Sequence, residues 1–494
     1  MILTLLILIP MIGGLLALAA ARWSALASRW VALLAALVNL GITLALWAKF
    51  PTSLGVGKTF VEVNVPWVPR FGISYHLALD GLSLLLVLLT TLLTVVSVAC
   101  SWREITERVG QFHLALLTLS AAILGTFLAF DLLLFFFFWE AMLVPMYFLI
   151  AIWGHENRRY AAIKFFLFTF FGGLFVLLGV IGLYVYNGHG TFDYIVLRGT
   201  MLPARAGMLM MLGLLTGFAV KLPVVPFHTW LPDAHTEAST AGSVMLAGLL
   251  LKTGAYGMLR FAIPLFPLAS STIAPVMMAL GAAGILYGAI LSYAQRDLKR
   301  MVAYTSVSHM GFVLLGIYAG TPLALQGAVL SIICHGLATG ALFVIAGLIQ
   351  ERTRTRELAK LGGLWAVTPK LGGFTLFFAL AALGLPGLGN FTGEFLVLLG
   401  AFPVNPIIAS IAALGLIASV IYALWLVQKT VFGSNENQWT LPDLSGREVA
   451  VLGVLAALLL WLGLYPQPVF DTARDAIVAA QRPVDVQSDT EVGK

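Results

Sequence analysis

The chain of 494 residues is 60% hydrophobic and only 10% charged, with a mean hydropathy of +0.98 and a formal net charge of +6. Those proportions exclude a soluble globular domain and describe an integral membrane protein. The positive balance does not indicate a nucleic-acid partner, because the basic residues are scattered through short loops and form no stripe.

Apolar runs of about 20 residues recur from end to end, long enough to cross a hydrocarbon core of about 30 Å as helices and without the alternation of barrel strands. Fourteen spans are expected, at 2–21, 30–49, 78–100, 113–130, 132–153, 162–186, 207–232, 242–263, 273–293, 301–319, 323–349, 371–400, 406–428 and 448–464. The fold class is an all-α, multi-pass integral membrane bundle. The run 2–21 reads as a retained span, since no positive residue precedes it and Arg22 follows it. Cys100 and Cys334 have no CxxC or Cys/His spacing suited to zinc, haem or an iron–sulfur cluster, and read as inert.

Numbering the loops in order separates the lysines and arginines. Seventeen, from Arg22 to Arg447 and including Lys164, Arg296, Lys299 and Arg300, fall on one side; nine, including Arg260, Arg482 and Lys494, fall on the other. The positive-inside rule places the richer side in the cytoplasm and both termini in the periplasm. Of the 28 basic residues, only Lys221 and Lys252 are then left within spans. Spans four to eight and nine to thirteen form two blocks of five, each with a long, proline-interrupted fourth member. Because five is odd, two copies of one fold would insert as inverted repeats. The chain is thus divided into three N-terminal spans (1–112), a first repeat (113–263), a second repeat (264–431), and a last span with a tail (432–494).

Four ionisable residues lie deep in apolar runs: Glu140, Lys221, Lys252 and Glu394. Each costs about 2.5 to 3.5 kcal/mol at a helix centre on insertion scales. A structural contact between helices could use Ser, Thr or Asn at lower cost, whereas a lysine whose carboxylate partner approaches or recedes binds and releases a proton. His228 and His235 follow Lys221 at steps of seven, which on a continuous helix puts all three near one face, and His309 and His335 lie in later spans. A lone buried histidine is commonly a satisfied core residue; the company of four charges favours a proton relay. Pro223 and Pro226 should open the seventh span near Lys221, and Pro386, with Gly384, Gly387 and Gly389, the twelfth upstream of Glu394. Asp233, His235 and Glu237 are expected near the inner surface. Gly172 and Gly173 read as packing glycines, and the basic cluster from Arg352 to Lys360 as a topological or partner contact. No nucleotide-binding glycine motif and no soluble stretch long enough for such a domain is present.

The stretches "FFFFWEAMLVPMYFLIAIWG", "KLPVVPFHTWLPDAHTEASTAGSVMLAGLLLKTGAYG" and "LPGLGNFTGEF" resemble the antiporter-like membrane subunits of respiratory complex I, the NADH:quinone oxidoreductase, and within them the M type. The resemblance covers all fourteen spans. It implies that Glu140 and Lys221 interact, that Lys252 is the central carrier, that Glu394 leads to the far exit, and that His228, His309 and His335 connect them. It also implies a bacterial inner-membrane location and L-type and N-type partner subunits. FMN, iron–sulfur clusters, NADH and quinone would be held by other subunits, with no cofactor in this chain. Glu394 separates the M type from the L and N types, which carry lysine there. Ser239 stands where the family motif usually has proline, which puts the local loop geometry in question. The competing readings are a multisubunit cation/proton antiporter without redox coupling and a passive membrane scaffold; the four charges argue against the scaffold.

Overall fold

The computed structural model describes residues 1–481 apart from Thr52, His189 and Met201; Arg482, Lys494 and the end of the tail lie outside the described residues. Thirteen helices among the described residues are long and apolar enough to cross a membrane, from Ile2–Ala20 to Gly446–Leu464. The remaining expected span, the twelfth, is two half-helices, Pro369–Ala382 and Gly389–Ala401. The seventh is interrupted as well: Ala204–Lys221 stops at the lysine, and the helix resumes at Trp230–Glu237.

Short polar residues fix where the helices begin. Asp80, Asp131 and Asp297 each accept a backbone N–H of the first turn, at 3.0, 2.9 and 3.0 Å. Ser445 and Glu448 form a reciprocal capping box at the fourteenth span. Such caps satisfy donors that a helix leaves unpaired and that the membrane boundary cannot hydrate fully. The eighth, tenth and eleventh spans (Thr240–Leu265, Leu298–Ala319, Pro322–Thr353) are almost wholly buried, whereas the first, second, thirteenth and fourteenth are largely exposed on their outer faces. Chemistry-bearing residues on the central three are thereby shielded from lipid.

Glycines bring helices into close contact. A Cβ on Gly217 would lie 2.6 Å from the Gly172 carbonyl oxygen, joining the sixth and seventh spans, and one on Gly327 would lie 2.7 Å from that of Gly393, joining the eleventh and twelfth. With no hydrophobic drive between helices in lipid, such small-residue contacts carry much of the packing.

The all-α membrane bundle carries two features outside its spans, and one expectation needs correction. Strands β1 (Val61–Val68) and β2 (Ile73–Leu79) form an antiparallel hairpin between the second and third spans. The tail contains an amphipathic helix, Gln467–Gln481, whose Asp475 accepts the N–H groups of Leu54 and Gly55 at 2.8 Å. Lys164, Arg260 and Lys299 are not loop residues, because each lies within a helix and is offset by partners there.

The hairpin is tied to two other connections. Phe130 N donates to His76 O at 2.9 Å, Tyr194 N donates to Phe130 O at 2.8 Å, and Asp131 accepts from Ser74 N at 3.1 Å. His76 sits between Asp193 (2.7 Å) and Glu62 (3.2 Å). Burial pulls its pKa down, but the two carboxylates outweigh burial and hold it above its ordinary 6.5. For Asp193 burial pushes upward, and His76 outweighs it and holds the carboxyl below its usual range. The raised His76 contributes stability in full below its unfolded value and loses it as pH rises through the folded value; the depressed Asp193 contributes above its unfolded value. Hydrogen exchange of the hairpin, compared with His76→Gln, is therefore expected to show greatest added protection in mildly acidic buffer. That added protection should fade toward alkaline pH, and an advantage growing with pH would contradict the assignment.

Candidate functional site

Each half-helix end places an ionisable group. Lys221 is the last residue of its half-helix, where a cation complements the unpaired carbonyls, and Glu394 stands in the second turn after the break at 383–388. The interruptions leave backbone groups to be satisfied, and side chains do this: Trp230 Nε1 donates to Val220 O at 3.0 Å, and Ser419 Oγ donates to Leu383 O at 2.8 Å.

In the eighth span a π-helical turn, Leu246–Leu250, widens the helix just before Lys252. The Lys252 amine donates to the Ala247 carbonyl, five residues back, and lies 2.6 Å from His335 Nδ1. The His335 and His309 rings are 5.6 Å apart between centroids. His309 Nδ1 lies 2.6 Å from Glu394 Oε1, and its Nε2 lies 3.1 Å from the Tyr422 hydroxyl. Lys252 is 0% exposed, and Glu394, His335 and His309 are 2 to 3% exposed. Four helices thus bring Lys252, His335, His309 and Glu394 into one polar file through a buried core. Glu394 Oε2 has no hydrogen-bond partner among the described residues and faces Gly384 in the broken segment.

Glu140 and Lys221 are not joined in this way. No hydrogen bond or ion pair within 4.0 Å links them among the described residues, and Glu140 Oε1 and Lys221 Nζ are both buried without a hydrogen-bond partner. The Lys221 amine instead lies 5.0 Å from the centroid of the Trp139 ring. The two charges are still close enough to act on each other electrostatically. The Glu140 carboxylate is seated against Gly173: a Cβ there would lie 1.8 Å from Oε1.

The shared face expected for Lys221, His228 and His235 does not exist, since the helix is broken between the first and second. His228 packs edge-on to Tyr287 at 5.2 Å, while His235 stacks on Phe343 at 4.4 Å. His235 and Glu237 are buried, not surface residues; Glu237 accepts from Asn157 N, and Asp233 is paired with Lys164 and Arg300. Pro223 and Pro226 lie in the break of the seventh span, and Pro386 in that of the twelfth. Ser239 caps the next helix by accepting from Gly242 N, a role proline cannot fill. Several groups escaped sequence reading: buried Tyr422, Lys299 and the Arg260–Asp80 pair at 2.5 Å, and half-buried Glu104. Arg260 lies eight residues beyond Lys252, on nearly the same helix face, a spacing that could have drawn attention to it.

Residues 129–421 match the family described as NADH:quinone oxidoreductase/Mrp antiporter, TM. Over 98% of its length the chain is 52% identical to NADH-quinone oxidoreductase subunit M of Pseudomonas aeruginosa, and over 97% it is 50% identical to that of Escherichia coli K12, covering 98% and 97% of those proteins. The chain belongs to the subunit M family of NADH-quinone oxidoreductases. Among solved structures it is similar to a chain of respiratory complex I from Thermus thermophilus with bound NADH, at 35% identity, a TM-score of 0.88 and coverage of 97% and 98%. The fold is also shared with a chain of the Mrp complex from Dietzia sp. DQ12-45-1b, at 23% identity and a TM-score of 0.84, covering 97% of this chain and 52% of that one. Membership in the M family makes this chain a membrane subunit of an enzyme complex.

Two substitutions probe the geometry. Gly173→Ala would push against the mobile end of the Glu140 side chain and not against backbone, so it should displace the carboxylate while leaving the helices assembled; pumping by the intact complex should fall with little loss of complex on native gels. Asp80→Ala would leave Arg260 buried and unpaired, at a cost of about 3 to 5 kcal/mol, read as a lowered thermal midpoint of the detergent-solubilised complex. An unchanged midpoint would mean that the pair is not closed in the assembled enzyme.

Proposed function

We propose that this chain carries protons across the membrane along Lys252, His335, His309 and Glu394 and that Glu140 and Lys221 set when the path fires. The observation that carries the reading is the contact from Lys252 through two histidines to Glu394, spanning the eighth, eleventh, tenth and twelfth helices. A purely structural network would not need an amine, two imidazoles and a carboxylate in series, all of them groups that can take up and give back a proton.

Protonated Lys252 gives a proton to His335 Nδ1 and becomes neutral. The imidazolium passes one to His309, and His309 Nδ1 passes it to Glu394 Oε1. Glu394 then releases it from the side that faces the broken backbone at 383–388, toward the face poorer in basic residues. A change in the Glu140 position alters the field at Lys221, and through it the readiness of Lys252 to give up its proton. His228, beside the break in the seventh span, would link Lys221 to that step. Electron transfer from NADH to quinone takes place in other subunits, where FMN and iron–sulfur clusters reside.

The finer topology belongs to the same reading. The protein sits in the bacterial inner membrane with both termini in the periplasm, between L-type and N-type neighbours. Residues 113–263 and 264–431 act as inverted repeats, flanked by three N-terminal spans (1–112) and a last span with its tail (432–494). Two features support the repeats: the third and fourth members of each block meet through glycines, and the second and fourth members carry Glu140 and Lys221 in one block and His309 and Glu394 in the other. A stand-alone antiporter shares the fold, but full-length identity of about half to redox-complex subunits favours the redox-coupled assignment.

Replacing Lys252 by Met removes a positioned proton carrier, which costs that transfer about a hundredfold or more. NADH-driven acidification of inverted vesicles should collapse while the complex still assembles. Normal pumping by a fully assembled Lys252→Met or Lys221→Met enzyme would sink the relay.

A further inference from the structure

A second group of buried and half-buried ionisable residues lies outside the path just described, around the start of the tenth span. Lys299, in the first turn of the tenth span, is 0% exposed. Its amine donates to Ala238 O at 3.0 Å and lies 3.3 Å from His155 Nε2. Glu104 and Glu237 are near enough to offset its charge, and both are anchored: Glu104 accepts from Thr240 N at 2.9 Å, and Glu237 accepts from Asn157 N at 2.9 Å.

His155 opens on the other side to a polar cavity of about 770 Å³ whose wall includes Glu156, Arg158, Arg296, Arg354 and Glu357. The cavity is on the face that holds the larger share of basic residues. Inward of Lys299 stands His235, three residues before Ala238, fully buried, with neither ring nitrogen hydrogen-bonded. Its backbone lies three residues from the carbonyl that holds Lys299, and the charges of both Lys299 and Lys252 reach it.

From this placement we infer that His155, Lys299 and His235 form the cytoplasmic inlet that reloads Lys252 with a proton. The inference rests on the relay reading and extends it to the residues that feed the relay. A proton from water or buffer in the cavity binds one nitrogen of His155 as the other nitrogen serves Lys299. Lys299 gives its own proton inward and is restored by His155, and His235 passes one proton to neutral Lys252. Each carrier ends in its starting state, and one proton has moved from the cavity to Lys252. The intervals on either side of His235 are crossed on water, which needs the polar groups the site supplies.

The environment of His155 suits a conductor more than a store. Burial first, then the charges of Lys299 and Arg356, hold its pKa down to about 3, so the imidazole is neutral at working pH and hands protons on without trapping them. A group whose task was an ion pair would be held charged. The anchoring of Glu104 and Glu237 by backbone donors leaves Lys299, and not the carboxylates, as the mobile proton donor.

The test uses the complete complex in inverted membrane vesicles, with assembly checked on native gels and NADH-driven acidification as the readout. Lys299→Arg keeps the charge and the bond to Ala238 O but cannot release a proton at neutral pH. His155→Gln keeps hydrogen-bonding capacity but cannot carry a proton, and its loop position lets it fold. Both are expected to assemble and to lose at least about half of the initial pumping rate, since a missing carrier slows its own transfer by about a hundredfold or more. A merely structural role would be preserved by both, so wild-type pumping in the assembled variants overturns the inlet. If Lys299→Arg does not assemble, His155→Gln alone decides. Lys252→Met in parallel separates the two levels: normal pumping there defeats the relay itself, whereas a dead Lys252→Met beside fully active inlet variants defeats only the inlet.

Discussion

Holding a charge away from water costs several kcal/mol even after the surroundings relax, and the interior of this bundle is organised around meeting that cost. Arg260 is paired with Asp80, Lys164 with Asp233, and Arg352 with Glu448. Asp131 and Glu104 take backbone N–H groups instead. Lys252 and Glu394 take a third solution, an imidazole at hydrogen-bond distance, which steadies the charge and can also accept or return a proton. Ion pairs and backbone bonds hold structure together; an amine beside an imidazole is poised to react. The proposed relay runs through the groups that have been given the third of these solutions.

Glu140 and Lys221 stand apart because none of these three solutions has been completed for them. Their charges act on each other from beyond ion-pair distance, with the amine beside the Trp139 ring and the carboxylate against Gly173. A closed pair is insensitive to small motions, since its energy is already at a minimum. An open pair in a medium of low dielectric changes its energy steeply with separation. The sixth and seventh spans, in glycine contact at Gly172 and Gly217, supply a rigid seat from which such a displacement can be transmitted.

Much of this was legible in the sequence, for physical reasons. Lipid forces the backbone into helices, so hydropathy alone located the spans, and proline's missing donor located the breaks near Lys221 and Glu394. The β-hairpin was missed although "VEVNV" alternates with period two, because it lies outside the membrane, where hydropathy carries little information. Lys299 and Arg260 were misplaced into loops because they lie close to helix ends, where a basic residue is usually solvated; their burial comes from neighbouring helices, which only the tertiary arrangement reveals. The common face assigned to Lys221, His228 and His235 failed for a related reason. The prolines that signalled a break also abolish the periodicity on which a shared face depends.

The arrangement gains a direction when the two five-helix blocks are taken as inverted copies. In each, the second and fourth members bear the ionisable groups, but the first block keeps Glu140 and Lys221 apart whereas the second holds His309 against Glu394. Inverted copies open toward opposite faces of the membrane, so a path loaded through one and emptied through the other must cross between blocks. In the proposed relay that crossing is the contact from Lys252, in the last member of the first block, to His335, in the third member of the second. A π-helical turn supplies the Ala247 carbonyl as a second acceptor for the lysine at that point. In the proposed relay one amine answers both to the unfinished pair upstream and to the finished one downstream, so that an electrostatic change in the first block would appear as proton release from the second.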